Sequence, residues 1–212
     1  MSALQNVSTT DEEGRSLMTV ATDQRMTLKD YLAYDDGTDI RHELEDGVLV
    51  EMGAENPLNP QIASFLLSVF FQMGVPIYRL VIGHQLGVSA TRATARQPDL
   101  IVHSDESDQA IMTDGKLLQF SAPPPMLVVE VVSSSDTDQR SRSRDYVDKR
   151  REYAARGIPE YWIVDPIAEV ILICTLSDGI YQSVQFQKQE VLISPTFPAL
   201  NLTVEQGLRA GR

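Results

Sequence analysis

Two carboxylates in apolar surroundings are the first sign of chemistry in this chain. Glu130 stands in the middle of the run PMLVVEVVSSSD, and Asp99 follows Pro98 in QPDLIVH. An ionised carboxylate buried without a partner costs several kcal/mol, so Glu130 must sit at a rim, hold a proton, pair with a base or bind a cation. If the two strands are neighbours, both carboxylates can meet one Mg2+-sized ion, because hard divalent cations take oxygen ligands and keep several waters. Alternation along the strand puts Glu130 on a face with Val128 and Val132 and turns Val131 to the other side, leaving the Val131 backbone carbonyl as a third oxygen ligand. Val132 has no charge to offer. Lys149, in DKRREYAARG just beyond the strand, is the source of a helper cation that could orient an attacking water and stabilise charge on a phosphate.

The elements that must position these groups can be read along the chain. In MTLKDYLAYDD, Thr27 caps a short helix over about Leu28 to Tyr34, with Asp30 at its third position. RHELEDGVLVEMG reads as a hairpin turning at Asp46-Gly47, with strands near 40–45 and 48–53. QIASFLLSVFFQMG is apolar and unbroken until Gly74, which predicts a buried helix. Strands are expected near 78–90 and 98–103, and DESDQAIMTDGKLLQFSAPPP reads as a loop. Leu127 to Val132 is β-rich and apolar around its one acid, the mark of a central strand buried on both faces. SSSDTD then caps a second long helix with Tyr146, Lys149, Arg150 and Tyr153 at helical spacing, ended by Gly157 and Pro159. EYWIVDP and EVILICTL are two strands with a turn at Asp165-Pro166, and GIYQSVQF adds short strands or loops. The order predicts a mixed α/β fold, a central mixed β-sheet flanked by helices.

The 212 residues suit one domain: residues 1–25 as a flexible tail, 26–200 as the domain and 201–212 as a second tail. No window is apolar for the roughly 18 residues a membrane helix needs, so no membrane partner is expected. The single cysteine, Cys174, excludes an intrachain disulfide and a thiolate metal cluster, reads as a core hydrophobe, and suits a cytoplasmic location. A net charge of −12 opposes general adhesion to nucleic acid. Residues 140–156, however, hold seven Lys or Arg against three Asp or Glu, and Arg140, Arg142 and Arg144 could meet backbone phosphates there.

RHELEDGVLVEM, QPDLIVH, MLVVEVVS and DKRREYAARGIPEYWIVDP together resemble the Uma-type restriction endonuclease family, abundant in cyanobacteria, of the PD-(D/E)XK nuclease superfamily. The resemblance implies a restriction-endonuclease-like core with a four-strand mixed sheet, a Mg2+-dependent phosphodiesterase centre (Mn2+ as an alternative), DNA as substrate and a homodimer. By position, Asp99 matches the motif aspartate, Glu130 the second metal carboxylate, and Glu43 the family's upstream acid. Lys149 matches a lysine that has migrated from the strand to the following helix. The chain departs from the pattern twice. Val132 stands where the superfamily has lysine, and Asn56, Asn59 and Gln61 stand in NPLNPQIA where many members carry a histidine.

Two functions from different classes follow. One is a Mg2+-dependent endonuclease in which Asp99, Glu130 and the Val131 carbonyl hold the metal, a metal-activated water attacks phosphorus, and Lys149 and Glu43 complete the catalytic set. The other is a module that keeps the nuclease fold but acts as a nucleic-acid or protein adaptor. At this level Glu43 is equally a solvated hairpin acid, Asp99 a strand-opening residue, and Glu130 the partner of an arginine. His84 and His103 read as ordinary hydrogen-bonding residues.

Overall fold

The computed structural model describes residues 25–38, 40–52, 56–89, 94–133 and 144–212, with the backbone of two short paired strands, β1 (Thr9–Thr10) and β2 (Ser16–Leu17). Otherwise the expected tail 1–25 lies outside the described residues. Helix α1 (Leu28–Leu32) starts as its sequence requires: Thr27 Oγ1 accepts the Asp30 amide and Asp30 Oδ2 accepts the Thr27 amide. Strands β3 (His42–Glu45) and β4 (Val48–Glu51) form the expected hairpin. Its turn places Asp46 and Gly47 at φ 50° and 79°, where a side chain on Gly47 would also collide with Arg25.

Helix α2 (Leu58–Gln72) buries Ile62, Leu66 and Phe70. After it, the stretch expected as one strand near 78–90 divides at Gly83 (φ 94°) into β5 (Leu80–Val81) and β6 (Gln85–Ser89), which join different sheets. Strands β7 (Thr94–Arg96) and β8 (Leu100–Val102) follow. The segment expected as a loop after β8 is instead helix α3 (Asp105–Asp114), capped by Ser104 with Ser107 and stopped at Gly115 in the left-handed region. Its ends carry the local signals; its few apolar residues hide the period. Next come β9 (Leu117–Leu118), the central strand β10 (Leu127–Val131), and, after a π-helical turn at Arg144–Asp148, helix α4 (Lys149–Ala155). Strands β11 (Glu160–Asp165) and β12 (Val170–Ser177) are the two expected, while β13 (Ile180–Gln187) is one strand of 8 residues where short strands or loops were expected.

The main sheet has six strands in the order β13-β12-β11-β10-β8-β5, wider than the implied four. All its pairs are antiparallel except β10 with β11. A second sheet, β4-β3-β7-β6-β9, carries the hairpin. On one face of the main sheet, Leu127, Val129, Val131, Trp162 and Val164 pack against α2. On the other, Val128, Val132, Tyr161 and Ile163 meet Tyr153 of α4 and Leu86 of the second sheet. Residues 201–212 are not a tail. Helix α5 (Val204–Leu208), with its Thr203–Gln206 capping box, buries Val204, and Leu202 joins the α2-side core. Burial of Leu202 and Val204 makes that segment worth ordering.

Candidate active site

The β8–β10 register decides whether the two acids meet. Val129 pairs with Leu100, so one further step sets Glu130 opposite Asp99. Directly opposed residues of an antiparallel pair share a face. Beyond the end of β8, the Asp99 side chain takes over the ladder: Oδ2 accepts the Val131 amide at 2.6 Å. The two strands are neighbours and the two carboxylates lie at one edge of the β10 exit.

Glu130 is buried, 4% exposed, with both oxygens engaged. The Tyr153 hydroxyl donates to Oε1 at 2.5 Å, and Lys149 Nζ lies 2.9 Å from Oε2. Lys149 and Tyr153 sit four residues apart on α4, so one helix face presents both. The same amine is 2.9 Å from Asp145 Oδ1, a carboxylate one turn earlier whose backbone oxygen accepts the Tyr161 hydroxyl. Asp145 was not among the residues expected from the sequence, although its i, i+4 spacing to Lys149 was there to be read.

Glu43 is also brought to this cluster, but its oxygens are committed elsewhere. Oε1 accepts the Gln97 amide at 3.0 Å, and Oε2 pairs with Arg96 Nη1 at 3.1 Å. Arg96 is fully buried and grips Glu152 of α4 with two further hydrogen bonds of 2.8 and 2.9 Å. This guanidinium therefore fastens β7, β3 and α4 together just before the Pro98-Asp99 step. Burial opposes ionisation of Glu43, yet Lys149 and Arg96 outweigh it and hold its carboxyl below the ordinary range.

The balance at Glu130 goes the other way. Burial pushes its carboxyl up to about 8; Lys149 opposes this, while the charges of Asp99, Asp145 and Glu43 reinforce it. Burial would favour the neutral amine of Lys149, but Asp145, Glu130 and Glu43 reverse that and keep it protonated well above its ordinary range. Among the described residues no three His, Cys, Asp or Glu side chains form a ready-made coordination shell. A Mg2+-sized ion needs only one or two carboxylates plus waters, and the hard oxygens of Asp99, Glu130 and the Val131 carbonyl fit that demand.

The rest of the basic segment is partly tied down. Arg150 donates to the Tyr181 carbonyl and Arg156 to that of Gln119, while half-buried Arg144 lies near enough to Glu43 to favour its ionised form. Arg140 and Arg142 lie outside the described residues. His84 Nδ1 and His103 Nε2 approach to 3.2 Å, and His103 Nδ1 meets Ser107 Oγ at 2.9 Å, an ordinary hydrogen-bonded chain.

A family model described as "Uma2: Putative restriction endonuclease" matches residues 28–205, a span that includes every one of these side chains. The chain belongs to the Uma2 family. A solved structure described as a "putative nuclease belonging to DUF820", from Anabaena variabilis, superposes with a TM-score of 0.65 at 16% identity. That match covers 88% of this chain and 99% of the other, and is a similarity of fold. No curated protein matches the chain. The Uma2 match spans both the sheet that aligns Asp99 with Glu130 and the helix that carries Lys149. Among the described residues no helix is long and apolar enough to cross a membrane.

Proposed function

We propose that the protein is a divalent-metal-dependent endonuclease that hydrolyses DNA phosphodiester bonds. The observation that carries this reading is the hydrogen bond from the Val131 amide to Asp99 Oδ2, which ties the motif aspartate to the residue beside Glu130. Asp99, Glu130 and the Val131 carbonyl would hold Mg2+ or Mn2+. Bound there, such an ion supplies a nucleophile at neutral pH and positive charge opposite the phosphate.

The chain's own residues do the rest. Tyr153 and Lys149 fix the two oxygens of Glu130 in orientation. Lys149 faces two carboxylates and stays protonated, so its part is to donate a hydrogen bond and a charge to a phosphate oxygen, not to take a proton from water. Half-buried Arg144, in the π-helical turn that leads into the same helix, would lie toward a flanking phosphate.

Calorimetric titration with Mn2+, paired with nicking of supercoiled plasmid, tests the reading. Wild type is expected to bind saturably and cleave, and Asp99→Ala and Glu130→Ala to lose both. The adaptor reading is favoured by Val132 in place of a strand lysine and by the full engagement of Glu130. It predicts DNA retained without cleavage and the same Mn2+ heats in all three proteins.

A further inference from the structure

Asn59, in the first turn of α2, is 2% exposed. Its Nδ2 donates to the Val131 carbonyl at 3.3 Å and approaches that of Val132 at 3.5 Å. These are the backbone oxygens at the exit of the central strand. The orientation of the amide is set by chemistry: reversed, it would turn an oxygen toward two carbonyl oxygens with no proton between them. Its Oδ1 is then left buried with no hydrogen-bond partner among the described residues. A buried acceptor left unsatisfied costs about 1–3 kcal/mol, so a position that keeps one has a donor to receive.

The surroundings narrow what that donor is. The first turn of α2 offers no amide to an anion: Pro57 and Pro60 have none, the Leu58 amide is taken by Asn56 Oδ1 and the Asn59 amide by the Asn56 carbonyl. A phosphate is therefore not the ligand at this helix end. What lies beside Asn59 is the carbonyl of Val131, whose amide binds Asp99 and whose neighbour is Glu130.

We infer that Asn59 is a positioning residue of the hydrolytic site, its amide oxygen accepting a hydrogen bond from a water molecule held at the carboxy end of the central strand. This rests on the nuclease reading above and extends it to a residue on the opposite face of the sheet from Lys149. Asn59 has no proton to exchange in the working range. It orients the water's lone pair and leaves the proton to other acceptors. Its Nδ2 meanwhile holds the Val131 carbonyl in place.

Asn59→Leu and Asn59→Asp test the assignment, through thermal unfolding, Mn2+ calorimetry and plasmid nicking. Asn59→Leu removes the unpartnered acceptor together with two long hydrogen bonds. It is expected to keep the wild-type unfolding midpoint within a few degrees, keep Mn2+ affinity within a few-fold, and lose roughly 10–100-fold in cleavage rate. Asn59→Asp places a carboxylate at the same point and is expected to bind Mn2+ more tightly, with a cleavage-against-pH profile displaced from that of wild type. A fall of many degrees in the Asn59→Leu midpoint would make the residue a structural strut and overturn the inference, as would unaltered cleavage in Asn59→Leu or unaltered Mn2+ affinity in Asn59→Asp. A wild type inert to both Mn2+ and plasmid would sink the nuclease reading first and this assignment with it.

Discussion

Glu130 and Glu160 are both buried, lie on adjacent strands of one sheet, and are held in opposite ways. Glu160 faces the α2 side, where Trp162 Nε1, Ser194 Oγ and the Thr196 amide donate to it at 2.5, 2.7 and 2.9 Å. All three donors are neutral and local to the strand or to the C-terminal segment packed on it. Glu130, on the other face, has one hydroxyl and a lysine shared with Asp145, in a neighbourhood with two further carboxylates. The first arrangement is complete as it stands and fastens the C-terminal segment. The second leaves Glu130 sharing its one lysine with Asp145, an arrangement that the proposed divalent ion would complement.

Stability separates the two most sharply. Glu160→Ala strands three donors and is expected to lower the unfolding free energy by roughly 2–4 kcal/mol in urea titrations. Glu130→Gln keeps shape and leaves Lys149 paired with Asp145, so it is expected to stay within about 1 kcal/mol of wild type. Equal losses would erase the distinction.

Proton release sharpens it further. Burial raises the Glu130 carboxyl to about 8, so a divalent ion at the proposed site would compete with a proton at neutral pH. Mn2+ affinity is expected to climb about tenfold per pH unit up to 8, roughly a hundredfold between pH 6 and 8, and then level off. The sign for folding is opposite: the folded form binds the proton more tightly than the unfolded chain, so this group's contribution to stability declines as pH rises from about 4.5 to 8. Calorimetry in buffers of different ionisation heat would count the released proton. A flat affinity across that range contradicts the picture.

The smallest effect concerns His103, pushed down to about 4 by burial, with His84 and Arg79 adding to it. Its folded value lies below its unfolded one, so the stability it supports is present above about 6.5 and lost as pH falls toward 4. The unfolding free energy measured over pH 4–7 should change by about 2 kcal/mol in wild type, and by less in His103→Gln. A neutral buried group thereby behaves like Glu160 under ordinary conditions and fails only in acid.

Much of this site was legible in the sequence because the relevant residues break a local rule. Glu130 is an acid in an apolar strand, Asp99 an acid after proline at a strand start, and Lys149 a lysine one helix turn before Tyr153 on the same side. What could not be read was whatever depends on partners far along the chain. Arg96 joins Glu43 and Glu152 across separations of 53 and 56 residues, and Asn59 reaches Val131 across 72. No spacing rule connects such positions. Helix α3 and the C-terminal helix escaped for a different reason: their caps are clear, but their apolar residues are too few to display a period, and burial of one or two side chains decided the matter.

The one parallel pairing within the main sheet, β10 with β11, carries a consequence of its own. Two strands running the same way cannot be joined by a turn; the chain must travel back across one face of the sheet before it can start the second. The described part of that return, from Arg144 through α4, lies over the face that bears Glu130. Lys149 and Tyr153 are thus delivered by the same routing that lets the sheet exist, and no separate loop has to be recruited to bring them. The helix that faces Glu130 is thus part of the connection that closes the fold, so whatever orders the sheet also sets the place of Lys149.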